Sequence, residues 1–264
     1  MPFLWKQLSC KKVLGMLLML GLILSFMCSK VFQIKKEKDQ KKPALWVFLC
    51  IGQSNMAGRS PIPEASGEVS DILLFNAENK WETARQPYNR YSTIRKSLGL
   101  QRYNFCEAFG KHLLEYKPGI QVGLVINARG GSSITEWRKG QPYFSEAIRR
   151  IRSALEQNEG HLEAILWHQG ERNIEDREYL DQLCSLIYEF RSTLEMEVPF
   201  IAGGIHNAPE FNRRLANLTE KAPGTAFVTS DGLTAYDRWH FDYSSAQELG
   251  KRYAAAFIQF KDKH

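Results

Sequence analysis

ALWVFLCIG, residues 44–52, runs directly into QSNMAGR, residues 53–59, and this stretch decides the fold. Its first part carries no charge, lacks polar alternation and stops at Gly52. That is the pattern of a strand buried on both faces, not one with a wet side. Such strands belong to parallel sheets covered by helices. Further short apolar runs are DILLFNA (71–77), VGLVINA (122–128), EAILWHQG (163–170), VPFIAGGI (198–205) and TAFVTSDG (225–232). Segments with helical apolar spacing lie at 105–116, 143–157, 176–195, 211–219 and 245–260. The alternation predicts an α/β protein, a three-layer α/β/α sandwich around a central, mostly parallel sheet. With no internal repeat and no long linker, residues 44–264 are expected to form one domain.

The formal charge of +6 and pI near 9.0 suggest a basic protein, but the charge sits at one end. Residues 1–43 hold nine lysines against Glu37 and Asp39, a net of +7, which leaves −1 for all that follows. A near-neutral body argues against a nucleic-acid partner. Residues 13–29, VLGMLLMLGLILSFMCS, are uncharged and follow Lys6, Lys11 and Lys12. At 1.5 Å per residue this length is at the lower limit for crossing about 30 Å of hydrocarbon, and slightly beyond the roughly 7–15 residues of a signal-peptide core. Residues 1–33 therefore read as a signal peptide or a retained membrane anchor, and 34–43 as a lysine-rich linker. The small-residue cleavage pattern is missing, and Phe26 and Met27 make Cys28 a poor lipidation site. Six lysines follow the apolar segment and three precede it, so positive-inside counting alone would leave the body cytoplasmic. Of the five cysteines, Cys50, Cys106 and Cys184 lie in the body. Their spacing fits neither a disulfide framework nor a metal site, so they read as small core residues. No disulfide, metal or cofactor is expected.

In open parallel sheets ligands bind beyond the carboxyl ends of the strands. Four such ends read GQSNMAGR (52–59), NARGGSSITEW (127–137), WHQGERN (167–173) and SDGLTAYDRWHFD (230–242). Ser54, on a tight turn at a strand end, is a candidate nucleophile; a serine there is equally suited to cap a helix. With Met56 in the fifth position the motif is not GxSxG. A serine needs a base, and the base needs an orienting group. His240 and Asp237 have the D-x-x-H spacing that lets a carboxylate fold back onto Nδ1, while Asp231, Asp242 and Glu248 are rival partners. Candidate oxyanion donors are the Ser54 N–H, the Gly130–Gly131 backbone and the Gln169 side chain. The alternative is that the glycines only form a turn and Gln169 only satisfies loop backbone.

These motifs, in this order over nearly all of 44–264, resemble the SGNH hydrolase superfamily, whose fold is flavodoxin-like. Within it they are most similar to the carbohydrate acetylesterases grouped with the sialate O-acetylesterase domain and with acetylxylan esterases. Gln53 stands where the broader superfamily has Asp. The resemblance implies Ser54 as nucleophile, His240 as base and Asp237 as its partner. It also implies oxyanion donors from Ser54, Gly131 and Gln169, the last where other members place Asn. Arg172, Asn173 and the bulky Trp239 depart from common family patterns without removing a catalytic atom.

Trp137 and Trp239, and less so Trp81, are candidate platforms for stacking a sugar. His168 and His206 lack the spacing of a metal pair and read as structural. Arg129 and Arg138 are either solvated or placed to steer an anionic substrate. The expected activity is metal-independent removal of O-acetyl groups from a polysaccharide or from O-acetyl sialic acid, through an acetyl-serine. The alternatives are a lipase- or thioesterase-like enzyme for longer acyl esters and a catalytically inactive, membrane-tethered glycan-binding module. The resemblance favours a secreted or membrane-anchored protein with an extracytoplasmic domain; if uncleaved, the apolar segment adds the membrane as a partner.

Overall fold

The computed structural model describes residues 43–157 and 160–263. The apolar leader, the lysine-rich linker up to residue 42, Cys10 and Cys28 lie outside the described residues. The residues from Ala44 onward form one compact unit. Among the described residues no helix is long and apolar enough to cross a membrane.

The strands are β1 (Ala44–Gly52), β2 (Val69–Phe75), β3 (Trp81–Ala84), β4 (Ile120–Ala128), β5 (His161–His168), β6 (Phe200–Gly203) and β7 (Thr225–Val228). They form one sheet in the order β3-β2-β4-β1-β5-β6-β7. Every pairing is parallel except that of β2 with β3. The α-helices are α1 (Ser54–Ala57), α2 (Cys106–Tyr116), α3 (Pro142–Glu156), α4 (Tyr179–Leu194), α5 (Pro209–Ala216), α6 (Leu218–Lys221) and α7 (Tyr243–Lys263).

β1 explains the layering. Successive side chains of a strand point to opposite faces, so an uninterrupted apolar run feeds two cores at once. Val47, Leu49 and Ile51 join Ile148 and Ile151 of α3 and Leu183, Ile187 and Phe190 of α4 on one face. Trp46, Phe48 and Cys50 join Phe109 and Leu113 of α2 and Leu249, Tyr253 and Phe257 of α7 on the other. The expected α/β/α sandwich is what forms. Phe144, Ala147, Ile148, Ile151 and Ala154 are the buried apolar stripe of α3, at the spacing one helical face requires, and Pro142 opens the helix where its missing N–H costs nothing.

Three details differ from the sequence expectation. The four residues of β3 form an antiparallel edge strand against β2, with Phe75 opposite Trp81; so short a run has too few positions to display period two. The segment expected as one helix over 211–219 is two, α5 and α6. Asn217 separates them, its N–H bonded to the Arg214 carbonyl and its carbonyl accepting from Glu220 and Lys221. The loop at 134–137 is itself a one-turn 3₁₀ helix, closed by a capping box between Ser133 and Glu136.

β1 lies between β4 and β5, with Gly52 in register with Ala128 on one side and His168 on the other. At Gly52 φ is +138°, and a Cβ there would stand 2.2 Å from the His168 carbonyl oxygen. Only glycine meets both demands. Gly52→Ala is expected to lower stability by roughly 3 kcal/mol or more, or to prevent folding, because backbone and not a movable side chain blocks the site. Urea denaturation checks this, and a change within about 0.5 kcal/mol would contradict the close approach.

Candidate active site

The position of β1 brings three strand-end loops together. Gln53 N–H donates to the His168 carbonyl at 2.9 Å, and Arg129 N–H donates to the Gly52 carbonyl at 2.9 Å. The turn after β1 is thereby tied to the loops after β5 and β4. Ser54 is the first residue of α1, and the capping position belongs to Gln53, which makes no side-chain cap bond. The Ser54 side chain makes no hydrogen bond among the described residues, so the hydroxyl is not spent on capping. Arg129–Ser132 is a β-turn closed by Ser132 N–H to the Arg129 carbonyl, 3.3 Å. Gly131, at φ +73°, occupies the position where a positive φ is required. Forming the turn does not remove the glycines from the pocket, since both line it beside Ser54.

The fourth loop follows β7. Asp237 Oδ2 lies 2.6 Å from His240 Nδ1, and Asp237 Oδ1 accepts from the N–H groups of Trp239 at 2.8 Å and His240 at 2.7 Å. One carboxylate thus orders both the turn and the imidazole. Burial works to raise the Asp237 pKa, but these hydrogen bonds outweigh it and hold the carboxyl below its ordinary value. Two of the rival carboxylates are engaged elsewhere. Asp242 accepts from Ser245 N–H at 2.8 Å, ahead of α7, as well as from Ser244 and Thr234. Glu248 pairs with Arg252 at 3.0 Å, and among the described residues no hydrogen bond or ion pair joins Asp231 to His240.

Ser54, His240, Gly130, Gly131 and Trp239 share a pocket of about 400 Å³ with Gln53, Arg59, Lys96, Leu100, Glu171 and Arg172. Asn55, next to Ser54, ties the loops further. Its Nδ2 donates to Glu171 Oε1 at 2.7 Å and to the Trp239 carbonyl at 3.0 Å, and its Oδ1 accepts from Phe241 N–H at 3.3 Å. Burial raises the Glu171 carboxyl to about 7, offset in part by bonds from its own N–H, Asn55 and the Gly170 N–H.

Two of the sequence assignments need correction. Gln169 is fully buried and does not line the pocket. Its Nε2 donates to Gln53 Oε1 (3.2 Å), the Ser132 carbonyl (3.0 Å) and Asn173 Oδ1 (2.8 Å), which leaves no N–H for a ligand. The neighbour it holds, Gln53, lines the pocket and keeps its own Nε2 without a protein partner among the described residues. The uncommitted amide donor belongs to Gln53, a buried residue beside the serine, and its place in GQSN is the signal. Trp137 is not a stacking platform: its ring has no exposed surface, donates to Ser132 Oγ at 3.0 Å and packs edge-on against Trp167. The capped turn at 133–137 directs it into the core. Trp239, by contrast, is half-buried in the pocket wall, with the Arg238 guanidinium 4.5 Å from its ring centroid.

Other candidates also separate. Trp81 packs on Phe75 at the sheet edge. Arg129 reaches the Ile94 carbonyl and Arg138 reaches Gln182, so neither lines the pocket. The cations that do are Arg59, Lys96 and Arg172. Arg59 Nη2 is 2.5 Å from where a Gly130 Cβ would stand, and Lys96 Nζ is 3.3 Å from the equivalent point at Gly131. His206 lies against Phe241.

A family model described as carbohydrate esterase, sialic acid-specific acetylesterase, matches residues 44–259. A curated protein of Arabidopsis thaliana, described as a probable carbohydrate esterase, is 27% identical over 248 residues, 85% of this chain and 94% of that one. The X-ray structure of the Arabidopsis protein superposes with a TM-score of 0.73 at 23% identity, covering 82% of this chain and 98% of that chain. NanS superposes with a TM-score of 0.68 at 16% identity, covering 85% and 99%. A carbohydrate acetylesterase of Xanthomonas citri gives 0.60 at 16% identity, over 84% of this chain and 57% of its own.

His168 sets a pH limit on the frame that holds the site. Its Nδ1 lies 3.1 Å from the Tyr253 hydroxyl, which donates to the Trp167 carbonyl at 2.6 Å, so Nδ1 carries the proton. Burial pushes the imidazole down to about 3, against about 6.5 in an unfolded chain. The stability tied to its neutral form is complete above about pH 6.5 and is lost as pH falls toward about 3, because only the unfolded chain takes up the proton. The urea midpoint should therefore drop between pH 7 and pH 4, more steeply in the wild type than in His168→Gln. Parallel slopes would show that His168 does not titrate on unfolding.

Proposed function

The chain belongs to the carbohydrate esterase, sialic acid-specific acetylesterase family, and from that membership we propose that it removes O-acetyl groups from a carbohydrate through an acetyl-serine. The observation that carries the serine mechanism is the 2.6 Å bond between Asp237 and His240 Nδ1, at a pocket that Ser54 also lines. A hydroxyl is a weak nucleophile until its proton has an acceptor. With Nδ1 committed to Asp237, Nε2 is the imidazole nitrogen left to take the Ser54 proton. Ser54 Oγ then attacks the acetyl carbonyl. His240 returns the proton to the departing sugar oxygen, and Asp237 stabilises the imidazolium in between. A water molecule repeats the sequence on the acetyl-serine and releases acetate.

The tetrahedral intermediates put negative charge on the former carbonyl oxygen. Donors available to it are the Ser54 N–H, the Gly130–Gly131 backbone and Gln53 Nε2, with Gln169 Nε2 holding Gln53 from behind by donating to Gln53 Oε1. Preorganised donors of this kind cost no reorganisation as the charge develops.

The charges around the pocket favour an acidic sugar. Arg59, Lys96 and Arg172 have no carboxylate partner among the described residues, and the burial of Glu171 weakens the one carboxylate beside them. A substrate carboxylate about 4 Å from one such cation gains roughly 1 kcal/mol in water-like surroundings and about 4 kcal/mol at an effective dielectric of about 20. Either figure separates an O-acetyl sialic acid from a neutral acetylated xylo-oligosaccharide.

Ser54→Ala is expected to lower 4-nitrophenyl acetate turnover by at least about 10³-fold, His240→Ala by a similar factor and Asp237→Ala by less. Gln53→Leu should lower kcat by about 10²-fold. Undiminished turnover in Ser54→Ala would end the acetyl-serine reading, and near-wild-type His240→Ala would mean another base. Acetate release should favour O-acetyl sialic acid over acetylated xylo-oligosaccharide by about tenfold or more in kcat/KM, with the ratio narrowing as salt is raised. Equal rates would remove the acidic-sugar assignment.

A further inference from the structure

The proton relay does not use Glu171, yet Glu171 is the acceptor at the far end of the contact that spaces the relay. The chain runs from the turn of Ser54 through Asn55 to the two residues that flank His240. Asn55, only 6% exposed, commits both Nδ2 hydrogens and its Oδ1: one hydrogen to Glu171, one to the Trp239 carbonyl, and the oxygen to Phe241 N–H. His240 sits between Trp239 and Phe241, so its backbone is pinned on both sides to the residue after Ser54. The other Glu171 oxygen, Oε2, is out of contact with water and has no hydrogen-bond partner among the described residues, although the side chain as a whole lines the pocket.

We propose that Glu171 is a positioning residue which, by accepting from Asn55, fixes the distance between the loop carrying His240 and the turn carrying Ser54. The inference rests on the Ser54–His240 reading above. Without an acceptor at 171, a buried N–H of Asn55 is left unpaired at a cost of about 1–3 kcal/mol, and the bridge relieves this only by moving. Movement shifts both residues that hold His240. A displacement of about 1 Å at reacting groups is enough to cost about 10²-fold in rate. The unpaired Oε2 and the burial that pushes this carboxyl up to about 7 both mark a group held largely neutral below that pH. Gln is then its neutral isostere and can still accept from Asn55 through its amide oxygen.

The test uses 4-nitrophenyl acetate hydrolysis by the full chain at pH 6.5, with Ser54→Ala as the blank and thermal unfolding recorded for each variant. Glu171→Gln is expected to keep kcat within about threefold of wild type. Glu171→Ala and Asn55→Ala should each lower kcat by about 10- to 100-fold while KM stays within about twofold, since the interaction acts on reacting geometry and not on substrate binding. The double variant should be no slower than the worse single one, because the two residues act as one unit. Should Glu171→Ala not fold, Glu171→Met keeps the volume, removes the acceptor and carries the same expectation. The proposal is overturned if Glu171→Gln falls as far as Glu171→Ala, if the loss appears in KM, or if the single losses multiply. Wild-type activity no higher than Ser54→Ala would instead overturn the serine mechanism on which it rests.

Discussion

No side chain fits between Gly52 and the carbonyl of His168. A Cβ would meet that oxygen at 2.2 Å, and the backbone there has a φ that L-residues avoid. This contact lets β1 end flush against β5, with Gln53 N–H bonded to the His168 carbonyl. On the other edge the Gly52 carbonyl accepts from Arg129. Three loops therefore start from one line across the middle of the sheet, and their side chains need no long reach to share a pocket. The site depends on rigid strand ends, which is how short polar side chains can be held to hydrogen-bonding tolerance.

Two kinds of tether then refine the site. The first is local: Asp237 orders its own turn through two N–H groups and orients His240 with its second oxygen. The second spans the molecule, through amide side chains that sit behind the pocket wall. Gln169 holds Gln53, Asn173 holds Gln169 and the Ile134 N–H, and Asn55 holds Glu171 and the His240 loop. Buried amides suit this work because they donate and accept at once and carry no charge to desolvate. The cationic side chains of Arg59, Lys96 and Arg172 line the pocket itself.

Much of this was legible in the residues. The apolar run of β1 announces a strand covered on both faces, and strand-end position with the D-x-x-H spacing makes Ser54, His240 and Asp237 candidates; the structure brings Ser54 and His240 to one pocket and Asp237 to His240. The errors share one cause. Gln169 reads as an oxyanion donor because it lies at a strand end, and strand-end position does not tell which of two neighbouring glutamines lines the pocket. Trp137, in the strand-end loop NARGGSSITEW, is a candidate platform by residue type, but a single turn of 3₁₀ helix rotates it into the core. Lys96 has no motif around it and Arg59 only closes GQSNMAGR; the folding of residues 96–100 against the Gly130–Gly131 turn makes both part of the wall.

Composition and periodicity by themselves determined the layer architecture, the separation of a basic N-terminal stretch from a near-neutral remainder, and the four strand-end loops that hold the candidate residues. They could do so because burial on two faces and strand-end position are one-dimensional properties, read off spacing along the chain. The tertiary structure alone decided which amide is free and which is spent, which tryptophan is wet, and which cations line the pocket. Those are questions of who occupies each hydrogen bond and each cubic ångström of interior. The answers come from residues more than a hundred positions apart, such as Asn55 with Glu171 and Gln53 with Gln169.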